Sequence, residues 1–112
     1  MKKIEAIIRP EKIDSVRKGL QQIGCSGLMV SEIEGHGKQK GITQQWRGEK
    51  FKVDLLPKIK LEIVANDSDV QNIVKTILDN AKTGEVGDGK IFIYSIENAI
   101  RIRTGEEGDI AI

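Results

Sequence analysis

Lys3-Ile4-Glu5-Ala6-Ile7 lines up with Lys60-Leu61-Glu62-Ile63-Val64, 57 residues further along the chain, and this repeat decides the fold. Both copies read as β-strands, and each is followed by apolar residues at the i, i+3, i+7 spacing of one helix face. The aligned helix positions are Ile13, Val16 and Leu20 in the first copy and Val70, Ile73 and Ile77 in the second. Asp67 and Ser68, just before the second helix, are predicted to cap its start with their side-chain oxygens. The chain is therefore predicted to contain one structural unit twice.

A second strand closes each unit and completes a βαβ–βαβ order. The predicted closing strands run from Leu28 to Ile33 and from Ile91 to Ile96. This order is that of the α+β, ferredoxin-like fold, in which two helices cover one face of a four-stranded, mainly antiparallel sheet. We also expect a short tail strand, Ala99 to Arg103, at a sheet edge or against a neighbouring subunit. Residues 1–112 fit one such domain, with a long loop between the repeats.

Composition excludes several classes of protein. Eighteen Lys and Arg are set against seventeen Asp and Glu, a balance that argues against a general nucleic-acid binder. Cys25 is the only cysteine, which excludes an intrachain disulfide and a cysteine metal site. The N-terminal residues lack the features of a signal peptide, and the apolar runs are too short to cross a membrane. We therefore expect a cytoplasmic protein.

Glycine positions indicate where function is expected. Nine of the twelve glycines lie in or beside three insertions into the plain repeat, at about residues 37–55, 82–90 and 101–109. Binding residues are concentrated on loops that a rigid scaffold positions. These three loops are therefore the candidate functional segments.

The long loop between the repeats has the composition of a binding segment. Residues 37–52 carry five positive charges and one negative charge. Trp46, Arg47 and Phe51 belong to residue types that are enriched at protein interfaces. An insertion of this length without regular structure is uncommon unless it is functional or disordered. We favour a partner-binding loop that is ordered by ligand or partner over a solvated linker.

Gly84-Glu85-Val86-Gly87-Asp88-Gly89-Lys90 is a candidate phosphate-binding segment. It departs from the Walker A pattern because Ile91 stands where Ser or Thr is required, and because a strand follows it instead of a helix. Its glycines and lysine can still present N–H groups and an ammonium to phosphates. Arg101 and Arg103 would add two guanidiniums on one face of the tail strand. A nucleotide site and a plain turn beside a solvated edge strand both remain open on these residues alone.

The chain resembles the PII family of nitrogen-regulatory signal-transduction proteins along its whole length. The segments that carry the resemblance are 2–10 (KKIEAIIRP), 35–41 (GHGKQKG), 47–48 (RG), 53–58 (VDLLPK), 83–92 (TGEVGDGKIF) and 101–107 (RIRTGEE).

The resemblance implies a homotrimer in which ATP and ADP compete for three clefts between subunits. It implies a nucleotide site made of residues from the loops and strand ends: Ile7, Gly35, Gly37, Lys38, Gln39, Val64, Gly87, Asp88, Gly89, Lys90, Arg101 and Arg103. It also implies that 2-oxoglutarate binds beside Mg²⁺-ATP at the base of the long loop. Gln39 would ligate the metal, Lys58 would pair with a ligand carboxylate, and Lys40 and Gly41 would complete the pocket with Gln39.

Departures from the family pattern limit the modes of regulation. Phe51 stands where many members have a modifiable Tyr, and Glu49 excludes a serine that is phosphorylated in another branch. We therefore expect control by ligands without covalent modification. Lys38 stands where Arg is usual, and Met29 stands where Thr is often seen.

The favoured function is an effector-gated regulator of an ammonium transporter, recruited to the inner face of the membrane, with the long loop as the contact. A regulator of a soluble enzyme, glutamine synthetase or nitrogenase, is the alternative within the family. An RNA-binding module has the same βαβ–βαβ order but needs stacking aromatics on its central strands, and the chain has only four aromatics. No set of catalytic residues stands out, so we predict no enzyme, or at most very slow ATP hydrolysis.

Overall fold

The two repeat units form a single four-stranded sheet that carries both helices on one face. The computed structural model describes residues 1–35 and 55–112 in full, and the backbone alone of residues 42–46 and 49–53. In chain order the elements are β1 (Lys2–Ile8), α1 (Ile13–Gln22), β2 (Leu28–Gly35), β3 (Ile42–Trp46), β4 (Glu49–Val53), β5 (Leu56–Ala65), α2 (Val70–Ala81) and β6 (Lys90–Ser95). The predicted ferredoxin-like, α+β fold is confirmed.

The strand order β2-β5-β1-β6 interleaves the two repeats. The first repeat supplies β1 and β2, and the second supplies β5 and β6. Each central strand pairs antiparallel with two strands of the other repeat: β1 lies between β5 and β6, and β5 lies between β1 and β2. No strand of this sheet therefore pairs with another strand of its own repeat.

The core lies between the sheet and the helices, and it preserves the repeat. Alternate side chains of β1 and β5 are buried at matching positions 57 residues apart. The matched pairs are Ile4 with Leu61, Ala6 with Ile63, Ile8 with Ala65, Val16 with Ile73 and Leu20 with Ile77. Full burial of one such Ile or Leu contributes about 1.5 to 3 kcal/mol. These pairs therefore hold both helices on the same face of the sheet.

Gly19 allows the two helices to approach closely. A Cβ atom at this position would lie 2.6 Å from Asn80 Nδ2 and 3.0 Å from Thr76 Cγ2 on α2. Asn80 in turn accepts a hydrogen bond from the Ser15 hydroxyl, at 3.0 Å, one turn earlier on α1. The missing side chain and this polar contact bring α1 against α2.

The opposite face of the sheet, which we call the open face, carries charged and aromatic side chains. Lys3 Nζ lies 2.6 Å from Glu62 Oε2, and Lys60 Nζ lies 3.8 Å from Glu5 Oε1. The Tyr94 hydroxyl donates to Glu5 Oε2 at 2.5 Å, and this hydrogen bond raises the pKa of Tyr94. Among the described residues no helix covers this face, and Phe92 and Tyr94 are about half exposed there.

The structure corrects three details of the prediction. Ala99–Arg103 is not a strand: a single bridge joins Ile100 to Glu107, and Gly105 N–H donates to the Arg101 carbonyl across a turn. The long loop between the repeats contains the antiparallel pair β3–β4, from Ile42 opposite Val53 to Trp46 opposite Glu49.

The third correction concerns the start of α2, which we expected Asp67 and Ser68 to cap. A 3-10 turn, Asp67–Asp69, leads into the helix and makes no side-chain capping hydrogen bond. The Asp67 carboxylate instead accepts a hydrogen bond from the Met1 ammonium at 2.6 Å. The Asp67 side chain therefore pairs with Met1, which is distant in the sequence, and does not cap the start of α2.

Candidate functional site

Four strand termini meet at one end of the sheet, which we call the loop end. In the antiparallel register Ile8 lies opposite Ile59, Ile7 opposite Lys90, and Gly35 opposite Leu56. The last residues of β1 and β2 therefore lie beside the first residues of β5 and β6. This brings together seven of the predicted site residues: Ile7, Gly35, Lys58, Gly87, Asp88, Gly89 and Lys90.

The segment from Lys82 to Gly89, which we call the glycine loop, connects α2 to the loop end. Gly84, Gly87 and Gly89 have φ angles of +89°, +106° and +100°. Side chains with a Cβ rarely adopt such angles, so these glycines allow the loop its path. Lys90 follows directly, and its side chain is exposed. The loop thus places an exposed cation next to a tightly turned backbone, an arrangement suited to an anion.

Gly89 is held directly against β1. A Cβ atom at Gly89 would lie only 1.7 Å from the carbonyl oxygen of Ile7. No other residue type fits this position unless the glycine loop and β1 move apart. The close approach fixes where the predicted phosphate-binding backbone lies relative to the sheet.

The Asp88 carboxylate organises the glycine loop. Its Oδ2 atom accepts hydrogen bonds from the N–H groups of Thr83 and Gly84, each at 2.9 Å. Its Oδ1 atom accepts from the Thr83 hydroxyl and, at 3.0 Å, from Arg9 Nε at the end of β1. These bonds hold the pKa of Asp88 far below its usual range, with the Thr83 hydroxyl as the largest cause. Asp88 is thus a fixed anion within the loop.

Lys58 connects the glycine loop to β5. Its side chain is buried, only 7% exposed, and its ammonium donates to the carbonyl oxygen of Gly87 at 2.7 Å. Burial lowers the pKa of Lys58, and the positive charge of Arg9 lowers it further. A Cβ atom at Gly35 would lie 2.9 Å from Lys58 Cγ, so the end of β2 also packs against this side chain. A buried cation is therefore available at the loop end.

Three predicted site residues lie elsewhere in the same chain. Val64 pairs with Lys3 at the opposite end of β5, six residues from Lys58, which is about 20 Å along a strand. Arg101 and Arg103 follow β6, whose last residue pairs with Lys2 at that same far end. The Arg101 guanidinium donates to Glu106 Oε1 and to the Ile110 carbonyl, each at 2.8 Å. Within one chain, the predicted nucleotide residues therefore form two groups at opposite ends of the sheet.

The remaining predicted site residues lie in the segment between β2 and β5. Gly37, Lys38, Gln39, Lys40, Gly41 and Arg47 lie outside the described residues, and for Trp46, Glu49 and Phe51 only the backbone is described. In the part of the chain that the structure describes, no group of three or more His, Cys, Asp or Glu side chains is placed to hold a metal ion. The predicted roles of these residues stay predictions.

Sequence reasoning missed Arg9 and Thr83. Both contact Asp88, and the Arg9 Nη2 atom also donates to the carbonyl oxygen of Val86 at 2.9 Å. The available signal was indirect. Arg9 directly follows the first strand, and the glycine loop leads into the strand that pairs beside it, so the strand order alone brings them together.

The described helices include none with the length and apolar character of a membrane span.

Comparison with known proteins gives a consistent result. The family described as "Nitrogen regulatory protein P-II" matches residues 1–106. A nitrogen regulatory protein P-II of Haemophilus influenzae is 54% identical over 112 residues, covering 100% of both chains. Nitrogen regulatory protein P-II 2 of Methanothermobacter thermautotrophicus is 53% identical and is covered to 97%, and P-II 1 of Escherichia coli K12 is 53% identical and fully covered. These names describe regulatory proteins rather than enzymes.

Proposed function

The chain belongs to the nitrogen regulatory protein P-II family, and on that basis we propose that it is a cytoplasmic signal transducer that binds ATP or ADP together with 2-oxoglutarate. The observation that carries the proposal is the hydrogen bond from Lys58 Nζ to the Gly87 carbonyl. It joins the predicted partner of a ligand carboxylate to the predicted phosphate-binding loop. A ligand bound by Lys58 would therefore also contact the glycine loop, and a ligand bound by the glycine loop would also contact Lys58.

The glycine loop supports nucleotide binding. Its positive-φ glycines and the exposed Lys90 side chain suit the phosphates of ATP or ADP. The close contact between Gly89 and Ile7 restricts where this backbone can lie, which would reduce the entropy lost when the ligand binds. The nucleotide phosphates would be held by Gly87, Gly89 and Lys90, with Gly35 and Ile7 alongside.

The separation of the site residues supports a homotrimer. Lys90 begins β6 and Arg101 follows the other end of that strand, so we expect the phosphates held by Lys90 to meet Arg101 of a neighbouring copy. A ring of copies joined head to tail brings the far end of one chain against the loop end of the next. The C-terminal segment also exposes apolar side chains, with Ile102 fully exposed and Ile100 and Ile110 more than half exposed. Arg101, Arg103 and Val64 would then complete a neighbour's site.

Lys58 supports binding of 2-oxoglutarate. Its ammonium is buried and already positioned by Gly87, so a carboxylate that reaches it forms a charge-assisted hydrogen bond in a poorly solvated place. Mg²⁺ prefers oxygen ligands, which the ATP phosphates, a keto acid and the Gln39 amide can supply together. Lys40 and Gly41 would line the same pocket. ATP with 2-oxoglutarate and ADP alone would favour different conformations of the adjoining loop.

The strands β3 and β4 and the residues between them form the proposed partner contact. We propose that Trp46, Arg47 and Phe51 contact an ammonium transporter at the inner face of the membrane. The loop's excess of positive charge favours an acidic surface on that partner. Regulation would proceed without covalent modification, because Phe51 has no hydroxyl group and position 49 is a glutamate.

The open face argues against an RNA-binding module. Such modules stack bases on aromatic side chains of their central strands. Here Phe92 and Tyr94 lie on the edge strand β6, and the central strands carry Lys3, Glu5, Lys60 and Glu62 on that face.

Calorimetry tests the ligand proposal. We expect 2-oxoglutarate to bind only when Mg²⁺ and ATP are present, and Gln39→Ala to abolish that binding. Gln21→Ala, at an exposed position on α1, is the matched control and should behave like the unaltered protein. Equal affinity for 2-oxoglutarate with and without nucleotide would refute the mechanism.

Affinity capture identifies the class of partner. We expect the protein to retain an ammonium transporter from detergent-treated membranes with ADP, and to release it with Mg²⁺-ATP and 2-oxoglutarate. Arg47→Ala should lose this retention. Nucleotide-dependent retention of glutamine synthetase or nitrogenase from the soluble fraction would instead favour the alternative target.

A further inference from the structure

A carboxylate lies between two glycines of the proposed phosphate-binding loop. Asp88 is flanked by Gly87 and Gly89, the residues assigned to the phosphates. A negative charge so close to a polyphosphate opposes binding unless a cation or several hydrogen-bond donors offset it. The loop therefore needs groups that offset the charge of Asp88.

The structure contains such groups around the Asp88 carboxylate. Both oxygens of Asp88 are occupied by donors from within the protein: two N–H groups, the Thr83 hydroxyl and Arg9 Nε. All of these donors come from the glycine loop itself or from the end of β1. The carboxylate is thus turned into the protein, and its side chain is only partly exposed.

Arg9 is committed to the glycine loop. Its Nε atom donates to Asp88 Oδ1 at 3.0 Å and its Nη2 atom donates to the Val86 carbonyl at 2.9 Å. One guanidinium thereby fixes two points of the loop, on either side of Gly87. Thr83 fixes the start of the loop, because its hydroxyl donates to Asp88 and accepts from the N–H of Glu85 at 3.1 Å.

We propose that Arg9 and Thr83 are positioning residues for the nucleotide site, which act through Asp88 by offsetting its charge and by fixing the backbone of Gly87 and Gly89. The proposal rests on the nucleotide binding proposed above. In this arrangement Arg9 acts on the phosphates through Asp88 and not by contact with them. The positioning role therefore depends on the charge of Asp88.

A double-mutant cycle on ATP binding tests this dependence. Arg9→Gln should weaken ATP binding by about 10- to 100-fold, because an uncompensated carboxylate then faces the phosphates. In an Asp88→Asn background, the same Arg9→Gln change should have less than about a threefold effect, because no charge remains to offset. Arg17→Gln, on the exposed face of α1, is the matched control and should not change ATP binding.

Ligands with different numbers of phosphates distinguish the positioning role from a purely structural role, which would not depend on the number of phosphates. The loss caused by Arg9→Gln should be largest for ATP, smaller for ADP and absent for adenosine. Thr83→Val should weaken ATP binding as well, and Thr83→Ser, which keeps the hydroxyl, should restore it. Circular dichroism establishes that each variant is folded.

Amide hydrogen exchange of the free protein provides an independent measurement. The N–H groups of Thr83 and Gly84 should exchange faster in Arg9→Gln than in the unaltered protein, because the carboxylate that accepts from them is released. Unchanged exchange, or an equal loss of ATP affinity in both Asp88 backgrounds, overturns the positioning role while nucleotide binding stands. Absence of ATP binding by the unaltered protein overturns the proposed function, and this role with it.

Discussion

The buried ammonium of Lys58 lies 2.7 Å from the carbonyl oxygen of Gly87 and thereby joins the central strand β5 to the glycine loop. The contact links the glycine loop, which we assign to the phosphates, to Lys58, which we assign to a carboxylate of 2-oxoglutarate. Any ligand that draws Lys58 away from Gly87 also changes how the glycine loop is held. The two proposed ligands would therefore be coupled through a single side chain.

The affinity for 2-oxoglutarate should decrease as the pH rises from 7 towards 10, in the presence of Mg²⁺-ATP. Burial and the charge of Arg9 lower the pKa of Lys58 below its usual value of about 10.4, so its charge is lost earlier than that of an ordinary lysine. Deprotonation of a buried lysine relieves a desolvation cost, so the folded state gains stability at this residue as pH rises and the lost affinity does not reflect unfolding. Calorimetry at several pH values measures the effect.

Lys58→Arg is the matched variant, because a guanidinium keeps its charge throughout this range. If Lys58→Arg and the unaltered protein lose affinity in parallel, Lys58 is not the titrating group.

Gly89→Ala should destabilise the protein by more than about 3 kcal/mol, whereas Gly84→Ala should cost about 1 to 2 kcal/mol. Both glycines have positive φ, which alone accounts for the smaller cost. Only at Gly89 would the new methyl group collide with a backbone atom, the Ile7 oxygen at 1.7 Å; nothing lies within 4 Å at Gly84. Urea unfolding at one protein concentration compares the two. Equal costs would contradict the close packing of the glycine loop on β1.

Tyr94 should titrate above its usual pKa of about 10. Its hydroxyl donates to Glu5, which stabilises the protonated phenol and raises the pKa of Tyr94. Because Tyr94 is the only tyrosine, absorbance near 295 nm follows this group alone. The stability from this bond is present below about pH 10 and is lost as the pH rises through the raised pKa.

Glu5→Gln should lower the pKa of Tyr94, because it removes the negative charge that opposes ionisation. Glu97→Gln, at an exposed position beyond β6, is the control and should leave it unchanged. A Tyr94 titration that is the same in Glu5→Gln as in the unaltered protein would show that the hydrogen bond is absent in solution.

Leu20→Ala should destabilise the protein by about 2 to 5 kcal/mol, and Leu78→Ala by less than about 1 kcal/mol. Both are helical leucines, but Leu20 is 1% exposed in the shared core and Leu78 is 52% exposed on α2. Urea unfolding at a fixed protein concentration gives both values. If Leu78→Ala destabilises the protein as much as Leu20→Ala does, Leu78 is buried in the assembled protein.

The sequence repeat predicted the helices and the main sheet because burial obeys simple periodicity. Ile4 and Leu61, or Val16 and Ile73, occupy equivalent core positions in both units, so alignment of the two copies identifies them. The β3–β4 pair was not predicted, because the many charged and polar residues around Trp46 made the segment read as a loop. Backbone pairing needs no apolar face, and composition does not reveal it.

The tail strand was wrong for a different reason. The alternation of Arg101, Ile102 and Arg103 is typical of a strand, but the guanidinium of Arg101 instead closes a local turn with Glu106. In the same way, spacing suggested that the glycine loop offers its backbone to a ligand. It did not reveal that Asp88 turns inward to Arg9, because that pairing joins residues 79 positions apart. Periodicity describes burial well and describes specific long-range hydrogen bonds poorly.

The interleaved strand order has a consequence for how the chain can be divided. Cleavage of the backbone between β2 and β5 would leave two fragments, and neither contains a pair of adjacent strands from the main sheet. The strands of each half find their neighbouring strands only in the other half. The halves would therefore behave as a split protein: each would be unfolded alone, and activity would require both together. During synthesis, β1 would have no partner strand until β5 has emerged from the ribosome.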